Sequence, residues 1–192
     1  MFTLIRPALG FTLIMTALTG LGYPLAMTGL AGVINRNSAQ GSLLVADGRV
    51  VGSALIGQSF SGRRYFHPRP SAVDYDAAAA GASNLGPSSA TLVAEVAKRR
   101  AAYREANNAN APIDAVTSSA SGLDPDISVE NARNQAARVA TARGLRQSEV
   151  DSLIDGSIAR PLFGLYGTAR VNVLALNLAL DKVAVDAPVQ KN

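Results

Sequence analysis

Between Arg6 and Arg36 the chain carries no charged side chain. Pro7 to Asn35 is mostly apolar, with Leu, Ile, Ala, Met and Phe set among Gly and Thr. About 20 such residues cross a bilayer as a helix, since a helix bonds its own backbone N–H and C=O groups and leaves none bare in hydrocarbon. The pattern predicts an N-terminal transmembrane anchor over residues 1–36, with the rest of the chain on one side of the membrane. A cleaved secretory signal is the competing reading. Its apolar region runs about 7–15 residues before a small-x-small site. Here the run is longer, and Gly29-Leu30-Ala31 is the one passable site. The retained anchor is the preferred reading. Gly10, Gly20, Gly22 and Gly29, with Thr12, Thr16 and Thr19, would let another helix approach closely. Pro24 is tolerated in such a helix when neighbours satisfy the freed carbonyl. The anchor is therefore expected to pack on partner helices as well as on lipid. Its direction is poorly signalled, with Arg6 on one flank and Arg36 on the other.

Residues 37–186 have the length of one ordinary domain, and 187–192 form a short tail. Hydrophobic content is 48%, much of it Ala, which suits a lean, helix-rich core. The expected fold class is α+β: one transmembrane helix followed by a single compact mixed α/β extramembrane domain. Residues 42–46 and 49–57 read as two strands joined by an Asp47-Gly48 turn, a pair that accepts the positive φ of a tight hairpin. Residues 62–86 are dense in Gly, Pro, Ser, Asn and Asp and read as a long structured loop. A helix is expected over about 88–106, with Leu92, Val93, Val96 and Tyr103 on its apolar face and Glu95 paired to Arg99. Residues 112–125 read as loop. Ser128 would cap a second helix that stops before Gly144, and a third short helix would run over about 147–155. Residues 171–181 begin β-like and end rich in Leu and Ala, which reads as a strand turning into a helix.

Most catalytic chemistries are absent from the sequence. There is no cysteine, which removes disulfides, thiolate metal sites and thiol catalysis. His67 is the only histidine, so no multi-histidine metal site forms, and in its Tyr65-Phe-His-Pro-Arg69 setting it reads as a loop residue. No Gly-x-x-x-x-Gly-Lys-Ser/Thr phosphate loop and no Gly-x-Ser-x-Gly elbow occurs. Asp124 and Asp126 could pair as carboxylates, but just before a helix they read better as turn and cap residues. Trp is absent and aromatics are 5%, which argues against an aromatic nucleic-acid surface. Lys98-Arg99-Arg100 reads as a solvated helix face.

One stretch is compatible with DNA. Over 138–153, Ala140, Gly144, Val150 and Leu153 have the spacing of a helix-turn-helix, with Arg138, Arg143 and Arg146 near enough to meet phosphates. Any tight helical corner needs the same residue types, and Glu149, Asp151 and Asp155 would repel phosphate. A membrane-tethered DNA-binding regulator stands as the alternative function; a structural corner is preferred.

Five segments, in order, carry a resemblance. They are Gly52-Ser-Ala-Leu-Ile-Gly-Gln-Ser-Phe60, Tyr65-Phe-His-Pro-Arg-Pro-Ser-Ala72, Gly81-Ala-Ser-Asn-Leu-Gly-Pro87, Val116-Thr-Ser-Ser-Ala-Ser-Gly-Leu-Asp-Pro-Asp-Ile-Ser128 and Val171-Asn-Val-Leu-Ala-Leu-Asn-Leu-Ala-Leu-Asp181. Together with the single span and its Tyr23-Pro24, the chain resembles KdpC, the C subunit of the bacterial Kdp potassium-transporting ATPase. It departs from that family's usual pattern at Ala80 and Ala82, where Ser and Gly are common, and at Asp126, where His is often found.

The resemblance implies an accessory subunit in the bacterial inner membrane. Its partners would be a channel-like potassium-binding subunit, a P-type ATPase subunit and a small single-span subunit, with lipid and without nucleic acid. The Asp-Lys-Thr-Gly motif of the pump itself is absent; this chain has Asp181-Lys182-Val183. No catalytic residue, metal or directly bound cofactor is expected. ATP enters through the proposal that the family's C subunit raises the catalytic subunit's ATP affinity, which needs a cytoplasmic domain. A domain on the outer, periplasmic face conflicts with that proposal. Ser83, Asn84, Leu85 and Gly86, with Ser121, Gly122, Leu123 and Asp124, are the expected functional loops. They serve subunit contact, nucleotide affinity, or only turn and helix-start geometry.

Overall fold

A computed structural model describes residues 3–161 and 163–186, with side chains through 183. The tail predicted at 187–192 lies outside them. The chain forms two compact units, Met1–Leu43 and Leu44–Asn192. The first is a continuous apolar helix over Ile5–Ile34 with none of its residues buried, long enough to cross a membrane. It contains α1 (Ile5–Met15), a π-helical stretch (Thr16–Gly22) and α2 (Tyr23–Ile34). The wide turns end where Pro24 begins to matter. A proline ring clashes with the carbonyl four residues back and donates no hydrogen bond. Slipping the ladder to five-residue steps, with Tyr23 N–H on Leu18 O, makes room for the ring. Thr19 and Thr28 tie their hydroxyls back to Met15 O and Pro24 O, at 2.6 and 2.8 Å. A short α3 (Arg36–Ala39), capped by the Asn35 side chain, follows.

The second unit opens with the expected hairpin, β1 (Leu43–Ala46) and β2 (Arg49–Ser53). Asp47 and Gly48 have φ of 50° and 74°, the sign required at both central positions of a tight hairpin turn. The second strand is shorter than predicted, because the chain turns at 54–56. Residues 57–88 are irregular but tied down. Helix α4 (Ala90–Asn107) starts on a Ser89 cap, and Glu95 pairs with Arg99 at 3.0 Å as predicted. Its face is narrower than the sequence suggested: Val93 is 60% exposed, while Leu92, Val96 and Tyr103 are half-buried. Inside the expected loop of 112–125 lies a short α5 (Ile113–Val116).

The core sits between a small sheet and three helices. Strands β3 (Asp126–Ser128), β4 (Ile158–Ala159) and β5 (Arg170–Asn172) form an antiparallel sheet with β5 in the middle. Val171 faces Ile127 on one side and Ile158 on the other. Helix α6 (Val129–Arg143) begins where predicted, with the Ser128 hydroxyl accepting from Asn131 N–H, and ends at Gly144 with φ 67°. Helices α7 (Gln147–Gly156) and α8 (Val173–Asp186) complete the layer. The last strand does turn directly into a helix. Phe66, Ile127, Ala132, Ala136, Val139, Val150, Ile154, Val171, Leu176 and Leu180 form one buried cluster. Alanines at 132, 136 and 140 bring α6 close to its neighbours, which is how a lean composition still fills a core.

Candidate functional site

The loop holding Ser121, Gly122, Leu123 and Asp124 is fastened on three sides. Leu123 O accepts from Gly57 N–H at 2.7 Å, Ser121 O accepts from Gly81 N–H at 2.8 Å, and the Asp124 carboxylate takes the Arg69 guanidinium at 2.8 Å. The other Asp124 oxygen accepts from Asp126 N–H, the turn role foreseen for it. Asp126 lies in β3, pairs with Arg170 at 2.8 Å and accepts from Asn172. Tyr75 closes the arrangement by donating its hydroxyl to Arg69 O at 2.6 Å. Burial, with Asp74 adding to it, pushes the Tyr75 pKa up to about 12, so the donor stays protonated.

The second predicted loop meets the first at one point. Gly81 bonds Ser121, and Gly122 packs against Val73, Ser71 and Gly81 O. Ser83, Asn84 and Gly86 are exposed and Leu85 is half-buried. Asn84 takes φ 55°, and its side-chain amide donates to Ala82 O. Ser71 Oγ supports the neighbouring bend by accepting from Val73 and Tyr75 N–H. An open groove of about 570 Å³ runs beside the 121–124 loop, between Leu55, Ile56, Arg69, Leu123, Asp124 and Pro125. In the membrane helix, a Cβ at Gly10 or Gly29 would touch nothing within 4 Å. At Gly20 and Gly22 the nearest atoms are 3.9 and 3.5 Å away. The helix's own packing does not require these glycines.

The structure turns two of the three helix-turn-helix arginines, Arg138 and Arg143, inward and leaves Arg146 exposed. Arg138 is 5% exposed. It donates to Arg63 O, Tyr65 O, Gln135 Oε1 and Asn107 Oδ1 at 2.7–3.0 Å. Burial lowers its pKa and Arg63 adds repulsion. Arg143 stacks over Tyr65, pairs with Asp181 at 2.8 Å and donates to Arg64 O. Arg146 is held by Glu149 at 2.8 Å. Ala140 and Val150 are buried at the corner, as either reading required. Two of the corner's three arginines are thus taken up inside the domain, the third sits in a surface pair, and nothing in the structure supports the DNA-binding alternative.

A set of buried amides went unnoticed in the sequence. Gln135 accepts from His67 N–H at 2.7 Å and donates to His67 O at 3.0 Å. Asn177 does the same for Phe66, at 2.9 and 3.0 Å. Two helix side chains thus give an extended segment the hydrogen bonds a neighbouring strand would supply, which lets Phe66 enter the core without orphaned backbone groups. Asn131 joins Gln135, the Tyr103 hydroxyl and the Asp114 carboxylate. The available signal was polar residues set on apolar helix faces, Gln135 beside Ala132, Ala136 and Val139, and Asn177 beside Leu174, Leu176 and Leu180.

His67 is the loop residue it was expected to be. Its Nε2 lies 2.8 Å from Gly62 O. A carbonyl only accepts, so Nε2 carries the proton. Burial lowers the His67 pKa; the Gly62 bond opposes this and Arg138 reinforces it. The unfolded chain therefore takes up this proton near pH 6.5 and the folded chain only at lower pH. Stability from this group is full above that point and is lost as pH falls through the folded value. Thermal melts of the full chain between about pH 7.5 and 5.5 should show this decline, and His67→Gln should flatten it.

Beside His67 lies a cleft of about 330 Å³, with Arg99, Tyr103, Asn131 and Gln135 among its walls. Burial, then the Asp114 charge, raises the Tyr103 pKa, which keeps its hydroxyl a donor to Asn131. Among the described residues, no group of three His, Asp or Glu is placed to hold a metal.

Residues 5–182 match the family described as KdpC, K+-transporting ATPase, c chain. A Potassium-transporting ATPase KdpC subunit from Cereibacter sphaeroides is 60% identical over 181 residues, covering 94% of this chain and 98% of the relative. Proteins of the same name from Bradyrhizobium diazoefficiens and Mycobacterium tuberculosis are each 51% identical. These matches cover 94% and 92% of this chain, and 97% of either relative.

Proposed function

We infer the role of this chain from one premise: it belongs to the KdpC family, the c chain of K+-transporting ATPases. We propose that it is an accessory, non-catalytic subunit that stabilises an ATP-driven potassium import pump of the bacterial inner membrane. The observation that carries this is the family match across both units, span included. The absence of a phosphorylation motif supports the non-catalytic assignment, since Asp181-Lys182 is followed by Val183. Its partners in this reading are the channel-like potassium-binding subunit, the P-type ATPase subunit and the small single-span subunit. The glycine-bearing helix would pack on their membrane helices, through Gly10, Gly20, Gly22, Pro24 and Gly29.

The 37–186 domain is assigned to the outer, periplasmic face. Two observations favour this over a nucleotide-affinity role. The sequence holds no phosphate loop. The cations nearest the two candidate loops are also committed, Arg69 to Asp124 and Arg170 to Asp126. Ser83, Asn84 and Gly86 are exposed and suit subunit contact. ATP remains the catalytic subunit's ligand.

Deleting this chain from a cell whose other pump subunits are intact should abolish high-affinity potassium uptake and dissolve the purified assembly. Normal uptake and normal assembly in its absence would overturn the proposal. Reagent labelling of a cysteine at Ser83, introduced into this cysteine-free chain, should succeed from outside intact spheroplasts. Labelling only after lysis would place the domain in the cytoplasm and return the nucleotide reading.

A further inference from the structure

The bend at Ser61–Gly62 joins Phe60, packed against the core, to the stretch that Arg138 pins from Arg63 O onward. Both residues of the bend are exposed, and Gly62 has φ 98° with open space where a Cβ would stand. Three donors converge on Gly62 O. His67 Nε2 lies at 2.8 Å, Tyr65 N–H at 3.4 Å and Arg138 Nη1 at 3.5 Å. Only the first is short, and beyond about 3.2 Å such a bond is weak. Among the described residues no other hydrogen bond holds Ser61 or Gly62. The bend therefore hangs on the ring of the chain's only histidine. The His67 backbone is fixed, with its N–H and C=O both on Gln135. The ring alone is free to leave.

A ring that donates through Nε2 and is neutral has a bare Nδ1, and its surroundings oppose a proton there. On α6 it faces Arg138, which is buried and pairs with no carboxylate among the described residues. Arg63, on the ring's own segment, adds positive charge beside Arg138. The carboxylates of the neighbouring elements are engaged elsewhere. Glu95 of α4 holds Arg99, and Asp114 of α5 accepts from Ser128 and Asn131. Asp124 holds Arg69, and Asp181 of α8 holds Arg143. Tyr103 keeps its proton and brings no charge. Protonation would strengthen the Gly62 bond, yet burial outweighs that gain and Arg138 adds repulsion, so the tied ring resists the proton. A ring that swings into water recovers the hydration of its charge.

We propose that His67 is a proton-operated latch: its neutral ring ties down the Ser61–Gly62 bend, and on taking a second ring proton it swings into water and lets the bend loosen while the domain stays folded. Tied, the ring protonates only below its ordinary value of 6.5; swung out, it protonates at that value. Acid therefore favours the swung-out ring. For a tied ring that stays neutral, the ratio of loosened to tied chains rises by about tenfold between about pH 7.5 and 5.5. The latch lies within this chain and does not rest on the subunit role.

The test uses the full chain in detergent with a nitroxide spin label at Ser61→Cys, in a sequence with no other cysteine. The ratio of mobile to immobile label should rise by about tenfold over that pH interval. A label at Ser152→Cys, at an exposed position of α7, should not respond. His67→Gln has no proton to gain in this range and should flatten the response at 61. In the parent, the ring signals of the single histidine, followed by NMR, should titrate below 6.5 and share their midpoint with the label. That comparison needs no substitution at 67, so it stands even where His67→Gln fails to fold. No response at 61, a response that survives His67→Gln, or a label midpoint apart from that of the ring overturns the latch. Equal responses at 61 and 152 mean that the whole domain unfolds, and overturn it as well.

Discussion

Arg138→Met should cost the extramembrane unit about 3–5 kcal/mol, much of an ordinary domain's stability. The guanidinium is the common donor for Arg63 O, Tyr65 O, Gln135 Oε1 and Asn107 Oδ1. Among the described residues no carboxylate pairs with it; backbone and amide oxygens compensate its charge. A methionine fills similar volume and donates nothing, so acceptors are left buried and unsatisfied. Gln135 is itself one of the two amides that hold Phe66 and His67, so the loss should spread into the core. Arg138→Lys should recover only part, because an ammonium cannot reproduce the planar fork of donors. Urea unfolding of the full chain in detergent, followed by circular dichroism, measures this. A midpoint unchanged from the parent would show that the four acceptors find other donors.

Gly122→Ala should cost about 2–4 kcal/mol. Two effects add. Gly122 has φ 69°, where a Cβ is disfavoured. That Cβ would also stand 2.6 Å from Val73 Cγ2 and 2.9 Å from Gly81 O. The valine can turn, but the Gly81 carbonyl belongs to the residue whose N–H bonds Ser121 O. Relief therefore means parting the two candidate loops. Limited proteolysis should open a new cleavage within 80–87 as the melting temperature falls. Gly86→Ala is the control: its Cβ meets nothing within 4 Å, and a change within about 0.5 kcal/mol is expected. Equal stability of both variants would show that the loops do not depend on their contact at Gly122.

Much of the fold was legible because it is written in local rules. Asp47-Gly48 demanded a turn with positive φ, Ser128 and Gly144 bounded a helix, and Glu95 found Arg99 one turn away. Each of these depends on neighbours within a few residues. The part that escaped depends on partners far apart in sequence. Val93 fits a helical apolar face, yet the domain reaches only the other side of that helix. Arg138 and Arg143 looked like phosphate ligands because a sequence shows charge and spacing, not the carbonyls of residues 63–65 and the Asp181 carboxylate that use them up. Residues 83–86 and 121–124 were both singled out. Only the folded chain shows that the second is fastened on three sides while most of the first stands exposed.

By itself the sequence determined the membrane span, the order of most elements and, through ordered motifs, the family. A long uncharged run, caps and turn residues carry their consequence locally, whatever surrounds them. Tertiary structure alone decided which polar groups remain available to a partner. Gln135, Asn177 and Arg138 are spent on the segment around Phe66, and Asp124 on Arg69. A buried donor or acceptor must be matched within hydrogen-bond distance, and such matches across 50 residues or more exist only once the chain has folded.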